Sequence, residues 1–142
     1  MAEKVLLIDD EVEFLENLSE RMRVRGMEVS TAQTTDSAVT AVEDGEFDAI
    51  VLDLQMPGMD GIEMLKVIKS RKPDMQVILL TGQATLEAGI EAMKLGAMDF
   101  MEKPADIDSL TEKIKKAQAK KMVIVEKKNE DKVKNILSKK GW

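Results

Sequence analysis

The chain has 142 residues, 44% hydrophobic and 34% charged, proportions that describe one globular domain rather than a disordered or fibrous chain. It contains no cysteine and no histidine, which excludes disulfide scaffolds, zinc fingers, thiol enzymes and every mechanism built on an imidazole acid or base. The net charge of −6 hides an asymmetry: residues 1–111 carry 23 acidic and 10 basic side chains, a balance of −13, whereas residues 112–142 carry 4 acidic and 11 basic, a balance of +7.

In chain order, Lys4–Ile8 (KVLLI) is an apolar run that predicts a strand. Residues 11–25 follow with Val12, Phe14, Leu15, Leu18, Met22 and Val24 at helical spacing. Gly26 closes that helix after Arg21, Arg23 and Arg25, cations suited to the negative end of a helix dipole. Residues 27–32 alternate as a second strand, and Thr34 or Thr35 caps a helix that runs to about Glu43 and breaks at Gly45. The run AIVLDL at 49–54 has the continuous apolar character of a strand covered on both faces. A loop at 56–59 (MPGM) leads to a helix over 61–71, capped by Asp60 and ended before Pro73. Residues 76–80 (QVILL) form a fourth strand, 84–95 a helix closed by Gly96, 99–102 a short fifth strand, and about 106–121 a fifth helix. Strictly alternating strands and helices predict an α/β fold with a doubly wound, five-stranded parallel sheet.

In such sheets ligands bind beyond the carboxyl ends of the strands. Those ends carry Asp9, Asp10 and Glu11 after strand one, Asp53 in strand three, Thr81 and Gly82 after strand four, and Lys103-Pro104 after strand five. Taken singly, each has an ordinary reading: Asp9 and Asp10 as a helix N-cap, Thr81 with Gly82 as a turn, Lys103 as a solvated lysine. Asp53 stands apart because it interrupts an apolar run, where a buried carboxylate needs a cation nearby. Three carboxylates at one sheet edge call for a hard divalent ion. Magnesium fits better than calcium, since no calcium-loop spacing is present. With the metal in place a carboxylate can attack phosphorus, while a lysine and a threonine hydroxyl neutralise and orient the phosphoryl oxygens.

The segments LLIDDE (6–11), VLDLQMPGMDG (51–61), LLTG (79–82) and DFMEKP (99–104) resemble, in order and spacing, a response-regulator receiver domain of the CheY type. The resemblance covers residues 1–121 and implies a flavodoxin-like (β/α)5 fold with strand order 2-1-3-4-5. It implies phosphorylation of Asp53 by a sensor histidine kinase or phosphotransfer protein. Mg2+ would be held by Asp10 and Asp53, by Asp9 through water, and by the backbone carbonyl of Gln55. Thr81 and Lys103 would contact the phosphoryl group, and Phe100 would be the switch aromatic that turns inward with Thr81. The alternative for Phe100 is a plain core aromatic. Gln55 and Gln83 correspond to positions that tune phosphoryl lifetime, or are simply solvated amides. The Lys103-Pro104 bond is cis in similar domains, and Ala105 stands where relatives often place Phe. A downstream protein partner would bind the face of helix four, strand five and helix five, with monomer or homodimer both compatible.

Of eleven methionines, Met56, Met59, Met64, Met93, Met98 and Met101 read either as core filling or as an adaptable binding surface. The acidic body and the scarcity of aromatic residues argue against direct nucleic-acid binding by this domain. The absence of any apolar run near the roughly 20 residues of a membrane helix points to a cytoplasmic, soluble protein. A magnesium-dependent phosphatase of the haloacid-dehalogenase type also uses a strand-end aspartate, but it needs an acid two residues on, where Gln55 offers only an amide. A receiver that works without phosphorylation is a further alternative. Residues 122–142 are too short for an output domain and read as a solvated basic tail or a prolongation of helix five. The seam from Ile107 through Leu110, Ile114, Ala117, Lys121, Ile124 and Lys128 loses its apolar character, which argues against a long coiled coil there.

Overall fold

The computed structural model describes residues 2–56, 58–82 and 86–139. Five parallel strands make one sheet: β1 (Lys4–Ile8), β2 (Glu28–Ala32), β3 (Ala49–Leu52), β4 (Val77–Thr81) and β5 (Asp99–Glu102), in the order β2-β1-β3-β4-β5. The helices are α1 (Val12–Val24), α2 (Thr35–Asp44), α3 (Gly61–Arg71), α4 (Leu86–Lys94) and α5 (Ile107–Lys139). The order 2-1-3-4-5 expected from the sequence is the one observed.

Side-chain alternation along the strands builds two apolar layers. Val5, Leu7, Val51, Ile78 and Leu80 pack against Leu15, Leu18 and Met22 of α1 and against Leu110, Ile114 and Ala117 of α5. Leu6, Ile8, Ile50, Leu52, Val77 and Leu79 point to the opposite layer, where Ala38, Val42, Met64, Leu65, Ile68 and Ala92 come from α2, α3 and α4. Thr34 caps α2 in a reciprocal arrangement with Ser37. Asp60 caps α3 by accepting from the Glu63 amide at 3.0 Å.

Three local expectations change. The run at 49–54 leaves the sheet after Leu52, so Asp53 lies just past the strand. The loop at 56–59 is tighter than predicted, because Gln55–Met56 pairs antiparallel with Met59–Asp60 in a two-residue hairpin. Helix five does not end near Lys121: α5 continues to Lys139, so the segment read foremost as a solvated tail is helical through that residue. Lysine, glutamate, methionine and leucine favour helix through this stretch, and no glycine or proline interrupts it. The methionines divide: Met56 and Met64 are buried, Met98 and Met101 half-buried against the core, and Met93 exposed.

Gly61 joins the hairpin to α3 at a very close approach. A Cβ built there would lie 2.2 Å from the Leu54 Cα and 2.8 Å from the Asp53 carbonyl oxygen. Because backbone cannot step aside as a flexible side chain does, Gly61→Ala is expected to cost about 3 kcal/mol or more, at the upper end of overpacking effects. Urea denaturation of the variant beside the parent checks this.

Candidate functional site

The sheet register brings the candidate residues to one edge. The Asp9 amide donates to the Ala32 carbonyl (3.1 Å) and the Asp53 amide to the Ile8 carbonyl (3.0 Å), so the ends of β1, β2 and β3 stand level. On the other side, the Lys103 amide donates to the Thr81 carbonyl at 2.8 Å, which levels the ends of β4 and β5. The Lys103-Pro104 peptide bond is cis. The chain reverses direction around β1 and β3, the switch point at which open α/β sheets bind ligands.

At that point carboxylate oxygens of Asp9, Asp10 and Asp53 all lie within 4.8 Å of one another. Asp9 and Asp53 are buried, and Asp10 is half-buried. Each buried carboxylate takes a local amide: Glu11 N–H donates to Asp9 Oδ1 at 3.0 Å and Gln55 N–H to Asp53 Oδ1 at 3.2 Å. The cluster's cation is Lys103, whose Nζ lies 2.6 Å from Asp9 Oδ2, 3.5 Å from Asp53 Oδ2 and 3.2 Å from Glu11 Oε1. The same ammonium sits 4.2 Å from the centroid of the Phe14 ring, a cation–π contact.

Burial pushes the Asp9 carboxyl above its usual value, and the nearby Asp53 charge adds to that; the hydrogen bonds from Lys103 and the Glu11 amide only partly offset them. For Lys103 burial works downward, yet the hydrogen bond and charge of Asp9, with Asp53 and Glu11, win and hold its pKa above the ordinary lysine value. Three carboxylates in reach of one another, two of them buried, form an oxygen donor set suited to a hard divalent cation.

Thr81 is fully buried at the end of β4. Phe100, on β5, pairs with Leu79, and Thr81 pairs with Glu102, so Thr81 and Phe100 share one face of the sheet two residues apart. The Phe100 ring is half-buried and packs over Gly89 of α4, where a Cβ would stand 3.7 Å from it. The ring thus sits on the rim of the α4 layer, neither fully buried nor fully exposed. Gln55 is exposed on the two-residue hairpin beside Asp53, and Gln83 lies outside the described residues.

The sequence reading missed the part played by Glu11 and Phe14 around Lys103. Glu11 was visible as a third acid beside Asp9 and Asp10. Phe14, in the first turn of α1, was indistinguishable from the other apolar positions of an amphipathic helix.

Comparison with known proteins decides the family. The family model described as response regulator receiver domain matches residues 5–115. The chain belongs to this family. Receivers are signalling modules rather than turnover enzymes, which sets aside the phosphatase alternative. The transcriptional regulatory protein ZraR of Salmonella typhimurium is 36% identical over 115 residues, 81% of this chain but only 26% of ZraR, so the chain spans about a quarter of that relative. Among solved structures, a response regulator receiver domain protein from Clostridium thermocellum is 34% identical with a TM-score of 0.81, over 87% of this chain and 99% of that one. The BeF3-activated DrrB receiver domain is 28% identical with a TM-score of 0.74, over 82% and 97% of the two chains.

Removing the ammonium leaves buried carboxylates facing one another. Without divalent ions at neutral pH, Lys103→Met is expected to cost about 3–5 kcal/mol, and the deficit should shrink as acid protonates the cluster. In the parent, the raised lysine pKa means that the stabilisation is complete below the unfolded-state value of 10.5 and is lost as pH rises through the higher folded-state value. Thermal unfolding of parent and variant across the pH range measures both effects.

Proposed function

We propose that the protein accepts a phosphoryl group on Asp53 from the phosphohistidine of a sensor kinase or phosphotransfer protein and transmits that event through protein contacts. The observation that carries this is Lys103, held 3.5 Å from Asp53 within a cluster of three carboxylates at the sheet's switch point. The BeF3-activated state of the DrrB receiver supports it by similarity.

In the transfer, a carboxylate oxygen of Asp53 attacks phosphorus and the P–N bond to the donor imidazole breaks. The leaving nitrogen keeps the electron pair. Mg2+, held by Asp10 and Asp53, by Asp9 through water and by the Gln55 carbonyl, would neutralise charge on the carboxylates and the phosphoryl oxygens. Lys103 then exchanges its Asp53 contact for a phosphoryl oxygen, a charge-assisted bond. The Thr81 hydroxyl moves toward another oxygen, vacating space on the face it shares with Phe100, and the ring turns inward.

The output surface is the face of α4, β5 and α5. There a groove of about 720 Å3 opens between Leu86, Ile90, Met93 and Phe100, with the first three side chains largely exposed. Inward rotation of Phe100 changes the floor of this groove, which couples the phosphoryl site to a protein partner. Gln55 and Gln83 govern access of the water that hydrolyses the aspartyl phosphate, so their replacement changes the lifetime of the signal. Action in the cytoplasm follows from the usual setting of the receiver family; no described helix is long and apolar enough to cross a membrane.

Incubation with acetyl phosphate and Mg2+ should add one phosphoryl group by intact mass, and the adduct should vanish in Asp53→Asn or when Mg2+ is chelated. An adduct that survives in Asp53→Asn sinks the assignment. Cation binding has a pH signature as well. Because the Asp9 pKa is raised, Mg2+ affinity should begin to fall, as pH is lowered, sooner than an ordinary aspartate would dictate. Calorimetric titration between about pH 4 and pH 7, a range set by ordinary carboxylate pKa values, follows this directly.

A further inference from the structure

The two halves of α5 present different apolar rows. The first half seats Leu110, Ile114 and Ala117 in the body. Beyond them Lys121 donates to the Phe47 carbonyl at 3.1 Å, and Lys128 pairs with Asp74. From Met122 onward a second row opens, with Met122, Val125, Val133 and Ile136 exposed by 49%, 47%, 56% and 54%. At about 100° per residue this row is centred roughly 90° around the helix from the one that seats α5 in the body. The body borders this row only at its start, where Val125 lines a groove with Phe47, Pro73 and Asp74.

We infer that this row is the seam of a parallel, in-register two-stranded coiled coil with a second copy of the chain. Met122, Val125, Asn129, Val133 and Ile136 follow one another at intervals of 3, 4, 4 and 3 residues, the spacing of a coiled-coil seam with one four-residue stutter. Asn129 stands at its centre, and a lone asparagine in a seam pairs with its counterpart and favours two strands in register. The seam is distinct from the one through Lys121 and Lys128 that loses its apolar residues.

The charges select the second copy and its direction. One rim of the row carries Lys121, Lys128 and Lys132, the first two also in contact with the body at Phe47, Asp48 and Asp74, and the other carries Glu126 and Glu130. Two parallel helices related by a two-fold along their axes set the lysine rim of each against the glutamate rim of the other. Lys121 then faces Glu126 of the second copy at the five-residue offset typical of such pairs. Antiparallel helices would set lysine against lysine. Upstream the same stripe turns polar at Thr111, Lys115 and Gln118, so the pairing begins at Met122. With the bodies seated roughly 90° from the seam, they fall on opposite sides of the pair and do not collide. A membrane surface is a poorer match for a stripe with Asn129 at its centre and glutamates along one edge.

The inference does not depend on phosphoryl transfer. Sedimentation equilibrium of the full chain should show a concentration-dependent mass rising toward twice 15.8 kDa. Val133→Glu with Ile136→Glu should abolish the rise while leaving the far-ultraviolet spectrum and thermal transition of the body intact, since both side chains are exposed. Asn129→Val should tighten association, which a contact elsewhere on the surface would not do. Since the chain has no cysteine, Met122→Cys and Ile136→Cys each introduce a single thiol. Each variant should cross-link to itself on oxidation, and a mixture of the two should give no 122-to-136 cross-link. A monomer at every concentration, a dimer indifferent to the double glutamate variant, or a 122-to-136 cross-link overturns the inference. So does a monomer whose exposed row is instead protected by anionic phosphatidylglycerol vesicles.

Discussion

Asp9 and Asp53 are buried within reach of each other and of Asp10, and the ammonium of Lys103 offsets their mutual repulsion. Like charges taken out of water repel strongly, and each retains its charge only while something positive is close. Much of the surrounding structure serves this balance. The backbone bonds from Asp9 and Asp53 to neighbouring strands fix the carboxylates, while the bond from Lys103 to the Thr81 carbonyl delivers the lysine. Glu11 and Phe14 then hold the ammonium from its outer side. A site balanced in this way is sensitive to any added charge, which is what a phosphoryl group or a divalent ion brings.

The fold was legible in the sequence because each element announces itself by a different physical rule. β3 and β4 are continuous apolar runs since both faces are covered, and α1 and α2 show helical spacing since only one face is. Terminators were equally plain: Gly26 and Gly96 adopt positive φ at the ends of α1 and α4. The errors fall where a rule was local and the outcome was not. Pairing of Gln55–Met56 with Met59–Asp60 comes from closure of a four-residue turn at Gly58, whose φ is also positive, and no apolar pattern marks it. The end of α5 was misplaced because its body-facing seam fades near Lys121, although helix propensity does not.

The candidate site was legible as a set of residues and much less so as a geometry. Acid, hydroxyl and lysine at consecutive strand ends pointed to the edge, since a parallel sheet stacks those ends together. Sequence could not say that Lys103 would choose Asp9 at 2.6 Å over Asp53 at 3.5 Å, a preference set by side-chain reach across three strands. Nor could it reveal Phe14 beneath the ammonium, because an aromatic ring on the apolar face of a helix has many neighbours open to it before the chain is folded.

The continuity of α5 has a mechanical consequence. Its first turns, capped by the Asp106 side chain through the amides of Asp108 and Ser109, start four residues after Lys103, while its far end extends past the body to Lys139. From Lys128, which pairs with Asp74 of the body, to Lys139 the helix is a lever of about 16 Å at 1.5 Å per residue. A tilt of about 10° where α5 sits in the core carries the tip through about 3 Å over that length. A small displacement at the carboxylate cluster is thereby enlarged along the helix, with no hinge and no unfolding in between.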